Sequence, residues 1–439
     1  MHTLEQLRRG ELSGITRLDL AENLESFPPE IFELADSLEV LNLSGNRLTT
    51  LPDDLPRLRK LRILFCSHNA FTEVPAVIGR CSKLQMVGFK ANRISTLPGE
   101  ALPPLLRWLT LTDNCIETLP DEIGRCSQLQ KLLLAGNRLQ RLPDSLADCG
   151  RLELLRIAAN RLTALPDWLL EMPKLSWLAF GGNPFSDELE DEILKRHPLP
   201  PVDRSQIMLG EVLGQGASGV IYRADWRQPD NSTRAVAAKL FKGSLTSDGL
   251  PHSEMAASIA AGSHPNLVSV FGPLANCEDG LPGLLMPLIE PAYAPLAEPP
   301  SLASCSRDCY APDRRFSANQ VLGIGRAVAA AAAHLHSRGI LHGDVYGHNL
   351  LVDPDGRSLL SDFGAASFFD LLSSQAKLVQ RIEVRAFGCL LEELLERSEL
   401  SRTDAPWPEL WELKDRCLHD AVRQRPDFDE ILDIFSAFA

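Results

Sequence analysis

Aromatic residues are scarce in this 439-residue chain, at 6%, with only four tyrosines and six tryptophans. Aliphatic side chains must therefore build most of any core. Long apolar runs are missing as well. The alanine-rich run Ala327–Ala333, flanked by Arg326 and His334, falls far short of the roughly 20 residues that span a bilayer. The first ten residues lack the apolar stretch of a secretory signal. Together these absences predict a soluble, cytoplasmic chain with no membrane insertion. Positive charge is in deficit: 44 Lys and Arg stand against 58 Asp and Glu, a formal charge of -14. That balance argues against a sequence-independent grip on nucleic acid, which needs clustered cations. None of the 10 cysteines forms a C-x-x-C pair, and Cys305 and Cys309, the closest two, have no His or second pair beside them to complete a zinc site. Reduced thiols are expected. What the chain does have is a 44% hydrophobic fraction, which excludes global disorder. At about 100–200 residues per domain its length predicts two or three domains.

A repeat organises the first half. Asn recurs at 23, 46, 69, 92, 114, 137, 160 and 183, in steps of 23 with one of 22. Each closes a segment such as Leu38–Asn46. An apolar-Pro pair follows: Phe27-Pro28, Leu51-Pro52, Val74-Pro75, Leu97-Pro98, Leu119-Pro120, Leu142-Pro143 and Leu165-Pro166. Alternate leucines of a short strand enter a core at period two, and the Asn side chain can bond backbone groups of adjacent coils. Pro ends the next extended piece and removes a donor. The array resembles leucine-rich repeats, which implies an α/β solenoid whose units bury their apolar faces only against neighbours. Residues 2–13 and Asp187–Arg196 are expected to cap its ends, and the domain is assigned to residues 1–197. On the expected concave face Ile63, Phe65, Met86, Trp108, Leu133, Leu154 and Trp177 would form an apolar patch. Such patches mark binding surfaces, so a protein substrate or regulator is expected there, an intramolecular partner included.

Pro198–Pro201 marks a change of pattern, and residues 198–204 read as a short stiff linker. Beyond it, Gly214-Gln-Gly216-Ala-Ser-Gly219-Val220 fits G-x-G-x-x-G-x-V. Alone that motif is weak. It is followed by Ala235–Lys239, an alternating strand ending in Lys, then by His342-Gly343-Asp344 with Asn349 five residues after the Asp, and by Asp362-Phe363-Gly364. Four motifs in this order resemble the protein kinase family. The resemblance covers about residues 205–439 and implies an α+β two-lobed fold, with an N-lobe at about 205–287 and a C-lobe at about 288–439. It also implies ATP and Mg2+. Gly214, Gly216 and Gly219 would let the backbone approach the phosphates, with Lys239 on the α- and β-phosphates. Glu254, the only acidic residue between Asp248 and Glu278, is the expected partner of Lys239. Asp344 would accept the substrate proton, and Asn349 and Asp362 would hold the metal. Val220, Ala237 and Leu351 would enclose adenine, Met286 would guard the pocket, and Pro287 and Ile289 would meet adenine edges.

The pattern departs from the family in four places. Gly343 stands where an Arg normally reads a phosphorylated activation loop. Tyr346 and His348 occupy the positions of the Lys of Ser/Thr kinases and the Arg of Tyr kinases. Only 18 residues separate Gly364 from Glu383, and Glu383 replaces the Asp that opens the large central helix. Arg425-Pro426 resembles the closing motif without its usual Glu. These departures imply a kinase not switched by loop phosphorylation. A serine or threonine acceptor is favoured over tyrosine. Two alternatives remain: a small-molecule kinase of the aminoglycoside or choline type, which shares H-x-D-x-x-x-x-N, and a nucleotide-binding pseudokinase scaffold.

Overall fold

The repeat asparagines from Asn46 to Asn160 tie neighbouring coils through their backbones. In the computed structural model, Asn114 Nδ2 donates to the carbonyls of Phe89 (2.9 Å) and Leu111 (3.0 Å), while its Oδ1 accepts from Ile94 N–H (2.9 Å). Asn46, Asn69, Asn137 and Asn160 repeat the pattern. The structure describes residues 2–196, 198–216, 218–228, 230–243, 245–277, 280, 282–399 and 407–438. It falls into two compact units, Met1–Lys174 and Leu175–Ala439.

In the first unit, strands Arg17–Asp19, Val40–Asn42, Ile63–Phe65, Met86–Gly88, Trp108–Thr110, Lys131–Leu133 and Leu154–Arg156 pair in parallel and in register. Their central residues, Leu18 through Leu155, are buried. Pro28, Pro75, Pro98, Pro120 and Pro143 hold extended backbone immediately before the 3₁₀ turns of the convex side, which accounts for the apolar-Pro period. The expected N-terminal cap is the short helix Leu4–Arg8, with a reciprocal Thr3–Gln6 capping box.

The concave face differs from expectation. Ile63, Phe65 and Trp108 are half-buried, whereas Met86, Leu133 and Leu154 are buried. Met86 lies in register between Ile63 and Trp108, so both neighbours cover it. Phe65 lies over Gly88, where a Cβ would stand 2.7 Å from its ring. Lys131 Nζ sits 4.3 Å from the centre of the Trp108 ring. The seven residues therefore do not make one open apolar patch.

The second unit begins with the last coil, strand Trp177–Ala179, and the helix Pro184–Arg196. Residues expected as a linker join the fold instead. Val202–Asp203 pairs in parallel with Gly272–Ala275, and Leu199 packs on the Phe241, Ile259 and Leu284 cluster. Apolar side chains at 199 and 202 explain why this stretch is held rather than loose. The resulting six-stranded sheet runs Ile207–Gln215, Gly219–Arg227, Thr233–Phe241, Gly283–Pro287, Gly272–Ala275, Val202–Asp203, antiparallel except at the last pair. Helix Pro251–Ala261 follows the third of these strands in sequence. The remainder is largely helical, built on Ala318–His336, Ala376–Glu396, Trp407–Cys417 and Phe428–Ser436. Gly388 permits a close crossing, since a Cβ there would lie 2.8 Å from Cys417 Cβ. None of the ten cysteines forms a disulfide.

Candidate active site

The glycine motif lies where the first two strands of the sheet meet, with Gln215 opposite Val220. Gly216 N–H donates to Gly219 O (2.9 Å), and around the Cβ positions of Gly214 and Gly216 nothing lies within 4 Å among the described residues. That open space suits a phosphate chain approached by backbone. On the next strand Lys239 forms an ion pair with Glu254 of the Pro251–Ala261 helix. Both are buried. Burial raises the Glu254 carboxyl above its ordinary range; Asp362 adds to the rise and the Lys239 ammonium opposes it.

Ala237 stands opposite Met286 in the sheet register, and Val236 opposite Pro287. Met286 packs on Phe241, Ile259 and Leu284. Val220 pairs with Leu240 on the neighbouring strand, and Leu351 belongs to strand Leu350–Val352 of a small C-lobe sheet. Ile289 follows the Gly283–Pro287 strand and is half-buried.

The catalytic loop is closely bonded. Asn349 Nδ2 donates to Asp344 Oδ2 (2.8 Å) and to Asp344 O (3.0 Å). Asp362 has φ +61° and its Oδ1 accepts from Gly364 N–H (3.1 Å); the residue is exposed. Phe363 is buried, its ring 5.2 Å from that of His342. The Asp362 carboxylate and the Asn349 amide oxygen, both hard donors, fit a magnesium ion that takes its other ligands from phosphates and water. Among the described residues no cluster of three His, Cys, Asp or Glu side chains could hold a metal by itself.

The departures from the motif have physical partners. Gly343 has φ +74°, and a Cβ there would lie 2.6 Å from the carbonyl oxygens of both Leu178 and Ala365. Its N–H donates to Glu383 Oε1 (2.7 Å), while Glu383 Oε2 bonds His336 Nε2 (2.7 Å). Glu383 is fully buried; burial works to raise its carboxyl, but the His336 bond and the Gly343 N–H outweigh this and hold it low. Tyr346 turns inward: its OH donates to Ser306 O (2.9 Å) and its ring stacks on Trp177. His348 Nδ1 lies 2.7 Å from Asp308 Oδ1, and its backbone N–H donates to Asp308 Oδ2 (2.9 Å). Burial pushes the His348 ring toward neutrality, but the Asp308 bond and the charges of Asp308, Asp344 and Asp362 raise its pKa above the ordinary value. Arg425 is buried and donates to the carbonyls of His419 (2.9 Å) and Arg381 (3.0 Å).

Trp177 thus corrects an expectation. Read from sequence as part of an exposed partner surface, it is 1% exposed, with its ring on Tyr346 and its Nε1–H on Val345 O (3.1 Å). Asp308, Ser306 and Ser367 were not singled out from sequence. No local signal marks them, because their partners lie 40 or more residues away.

Comparison with known families settles the class. The profile described as protein tyrosine and serine/threonine kinase matches residues 207–385. The leucine rich repeat profile matches 11–71, 82–139 and 127–185. The chain joins leucine-rich repeats to a protein kinase domain. Fibroblast growth factor receptor 1 of Xenopus laevis is 24% identical over 307 residues, 58% of this chain and 37% of that protein. A probable LIM domain-containing serine/threonine-protein kinase of Dictyostelium discoideum is 23% identical over 286 residues, 57% of this chain and 42% of its own length. Human ephrin type-B receptor 4 is 26% identical over 193 residues, 44% of this chain and 18% of the receptor. The chain spans less than half the length of these relatives. The kinase profile ends at Arg385, two residues after Glu383, so the helices beyond the central one lie outside the matched segment. Among the described residues no helix is long and apolar enough to cross a membrane.

Proposed function

We propose that this protein transfers the γ-phosphate of ATP, with Mg2+, to a serine or threonine hydroxyl of a protein, in a cytoplasmic setting. The observation that carries this reading is the convergence of the buried Lys239–Glu254 pair with Asp362, whose charge acts on Glu254, beside the Asp344–Asn349 bond. Lys239 would hold the α- and β-phosphates, steadied by Glu254. Gly214, Gly216 and Gly219 would cover the phosphates with backbone N–H groups. Val220, Ala237 and Leu351 would enclose adenine, with Met286 behind it and Pro287 and Ile289 at its edge. Asn349 and Asp362 would hold the magnesium ion, which neutralises developing phosphate charge when bound. Asp344 would accept the hydroxyl proton, a role worth about 10²–10⁴ in rate.

The small-molecule reading is less favoured, because the matching profile is that of protein tyrosine and serine/threonine kinases, a serine/threonine-protein kinase is among the relatives and the repeats suit a protein partner. For that partner we propose the part of the concave face carrying Ile63, Phe65 and Trp108. Incubation with labelled ATP and Mg2+, alone and with a lysate, tests the reading. Label on serine or threonine of protein bands supports it; label only on small metabolites favours the alternative, and nucleotide binding without transfer favours a scaffold.

A further inference from the structure

Three elements of a phosphoryl-transfer site must be aligned: the catalytic loop, the segment after Asp362-Phe363-Gly364, and the helix carrying Glu254. Here the usual device for aligning them is missing. Gly343 stands in place of the Arg that would read a loop phosphate, and the helix Ala376–Glu396 starts soon after Gly364. We infer that the last repeat coil and its helix, residues 175–196, are the positioning element of this centre, and that Trp177 is its key residue. The inference rests on the phosphotransferase reading above.

Residues 175–196 reach all three elements. Against the catalytic loop, the Trp177 ring lies 4.2 Å from that of Tyr346 with planes 7° apart. The Trp177 Nε1–H donates to Val345 O (3.1 Å), so the two residues that follow Asp344 are both held. Leu178 O lies where a Gly343 side chain would begin, 2.6 Å from the Cβ position. The coil therefore takes the space that a larger residue at 343 would need. Against the segment after Gly364, the N–H groups of Phe180 (2.8 Å) and Gly181 (3.1 Å) both donate to Ser367 Oγ. Ala365–Phe369 is buried throughout. Gly181 also fits between that segment and the Glu254 helix: its Cβ position is 3.2 Å from Ala366 O and 3.4 Å from Ser253 Cβ.

Against the Glu254 helix itself, Glu190 Oε1 lies 3.4 Å from His252 Nε2. Leu194 packs on the cluster of Phe241, Ile259 and Leu284, alongside Met255 of that helix and Met286. One continuous piece of chain thus fixes the loop bearing Asp344, the strand after Gly364 and the helix that orients Lys239. A phosphorylated loop would make such links on demand; packed side chains make them permanently. Trp177 touches no reacting group in this reading. It acts through Tyr346 and Val345 on Asp344, which is what separates a positioning residue from a catalytic one.

The test uses the full chain with Trp177→Ala and Trp177→Phe. Initial rates of ADP release are measured with MgATP and dephosphorylated casein, the Kd for MgADP by titration calorimetry, and amide exchange across residues 343–349 by mass spectrometry. Trp177→Ala is expected to lower kcat at least tenfold, leave KM for ATP and the MgADP Kd within twofold, and speed exchange in the loop about tenfold. Trp177→Phe, which keeps a ring on Tyr346 but loses the donor to Val345, should give a rate and a loop exchange between those of wild type and Trp177→Ala. If Trp177→Ala cannot be folded, slowed turnover with faster loop exchange in Trp177→Phe supports the role, and a wild-type rate and exchange in it overturn the role. Unchanged kcat and exchange in Trp177→Ala overturn the inference. Should the unmodified chain release no ADP, the phosphotransferase reading fails separately, and loop exchange alone decides whether Trp177 orders the loop.

Discussion

Lys239 and Glu254 meet as an ion pair inside the second unit, 8% and 3% exposed respectively. Removing one partner of a buried pair strands the other, at a cost of about 3–5 kcal/mol. Lys239→Met is therefore expected to abolish phosphate transfer and weaken nucleotide binding. Asp344→Asn should lower ADP release by about 10²–10⁴ while MgADP affinity stays near wild type, because Asp344 bonds Asn349 rather than the lysine. Nucleotide titration beside a rate assay separates the two, and retained turnover in both variants contradicts the assigned roles.

Gly343 cannot be restored to the family's residue. With φ +74° and two carbonyl oxygens 2.6 Å from the Cβ position, even Gly343→Ala should cost about 1–3 kcal/mol from strain alone, and Gly343→Arg more. Thermal melts of the full chain should show both variants below wild type. A Gly343→Arg protein with wild-type stability and activity would mean that the coil does not occupy this space in solution.

Glu190 predicts a pH-dependent stability. Its carboxyl is raised to about 7, first by burial and then by Asp187 and Asp191 on its own helix, with the nearby Ser253 hydroxyl opposing; His252 faces it from the neighbouring helix. A carboxyl whose folded pKa exceeds its unfolded value binds more protons when folded. Stability therefore falls as pH rises from about 4.5 to 7 and stays reduced above that. Glu190→Gln removes the penalty, so the variant should be more stable than wild type by up to about 3 kcal/mol at pH 8, with the gap closing toward pH 4.5. Parallel melting curves of the two proteins across this range would contradict the assignment.

Asn114→Ala tests the ladder of the first unit. The change deletes three donated bonds and one accepted bond at a site 7% exposed. The carbonyls of Phe89, Leu111 and Thr112 keep Asn92, Asn137 and the Ala91 N–H as donors, so the Ile94 N–H is the buried group left unpaired, at about 1–3 kcal/mol. A loss of about 1–3 kcal/mol in denaturant unfolding is expected. A loss under 1 kcal/mol would mean that the adjacent coils relax to pair without it.

Much of this was legible in the sequence. Asparagines at a nearly fixed step announced the coils, because the same backbone bonds recur from Asn46 to Asn160. Glu254 could be found by elimination, since a lysine at the end of a buried strand needs a carboxylate and only one was near. Trp177 was misread because a strand position shows which face a side chain takes, not whether another segment already covers it. His348 and Asp308 are 40 residues apart, and their pairing depends on how the chain returns, which no local spacing records. The same holds for residues 198–204, whose prolines suggested a spacer while Leu199 and Val202 were apolar enough to be held.

The division of the chain at Lys174 bears on how such a protein can be rearranged. The coils of Asn46 through Asn160 share nearly one step and one set of bonds, so duplication or loss of a coil there only lengthens or shortens the array. The eighth is not interchangeable. A graft that joined a foreign array at residue 198 would deliver an enzyme without its Trp177, its Ser367 donors or its Leu194 wedge, whereas a splice made before Leu175 would carry them along. The repeat profile runs on to residue 185, so a boundary drawn by likeness alone would cut through the part that must travel with the kinase domain.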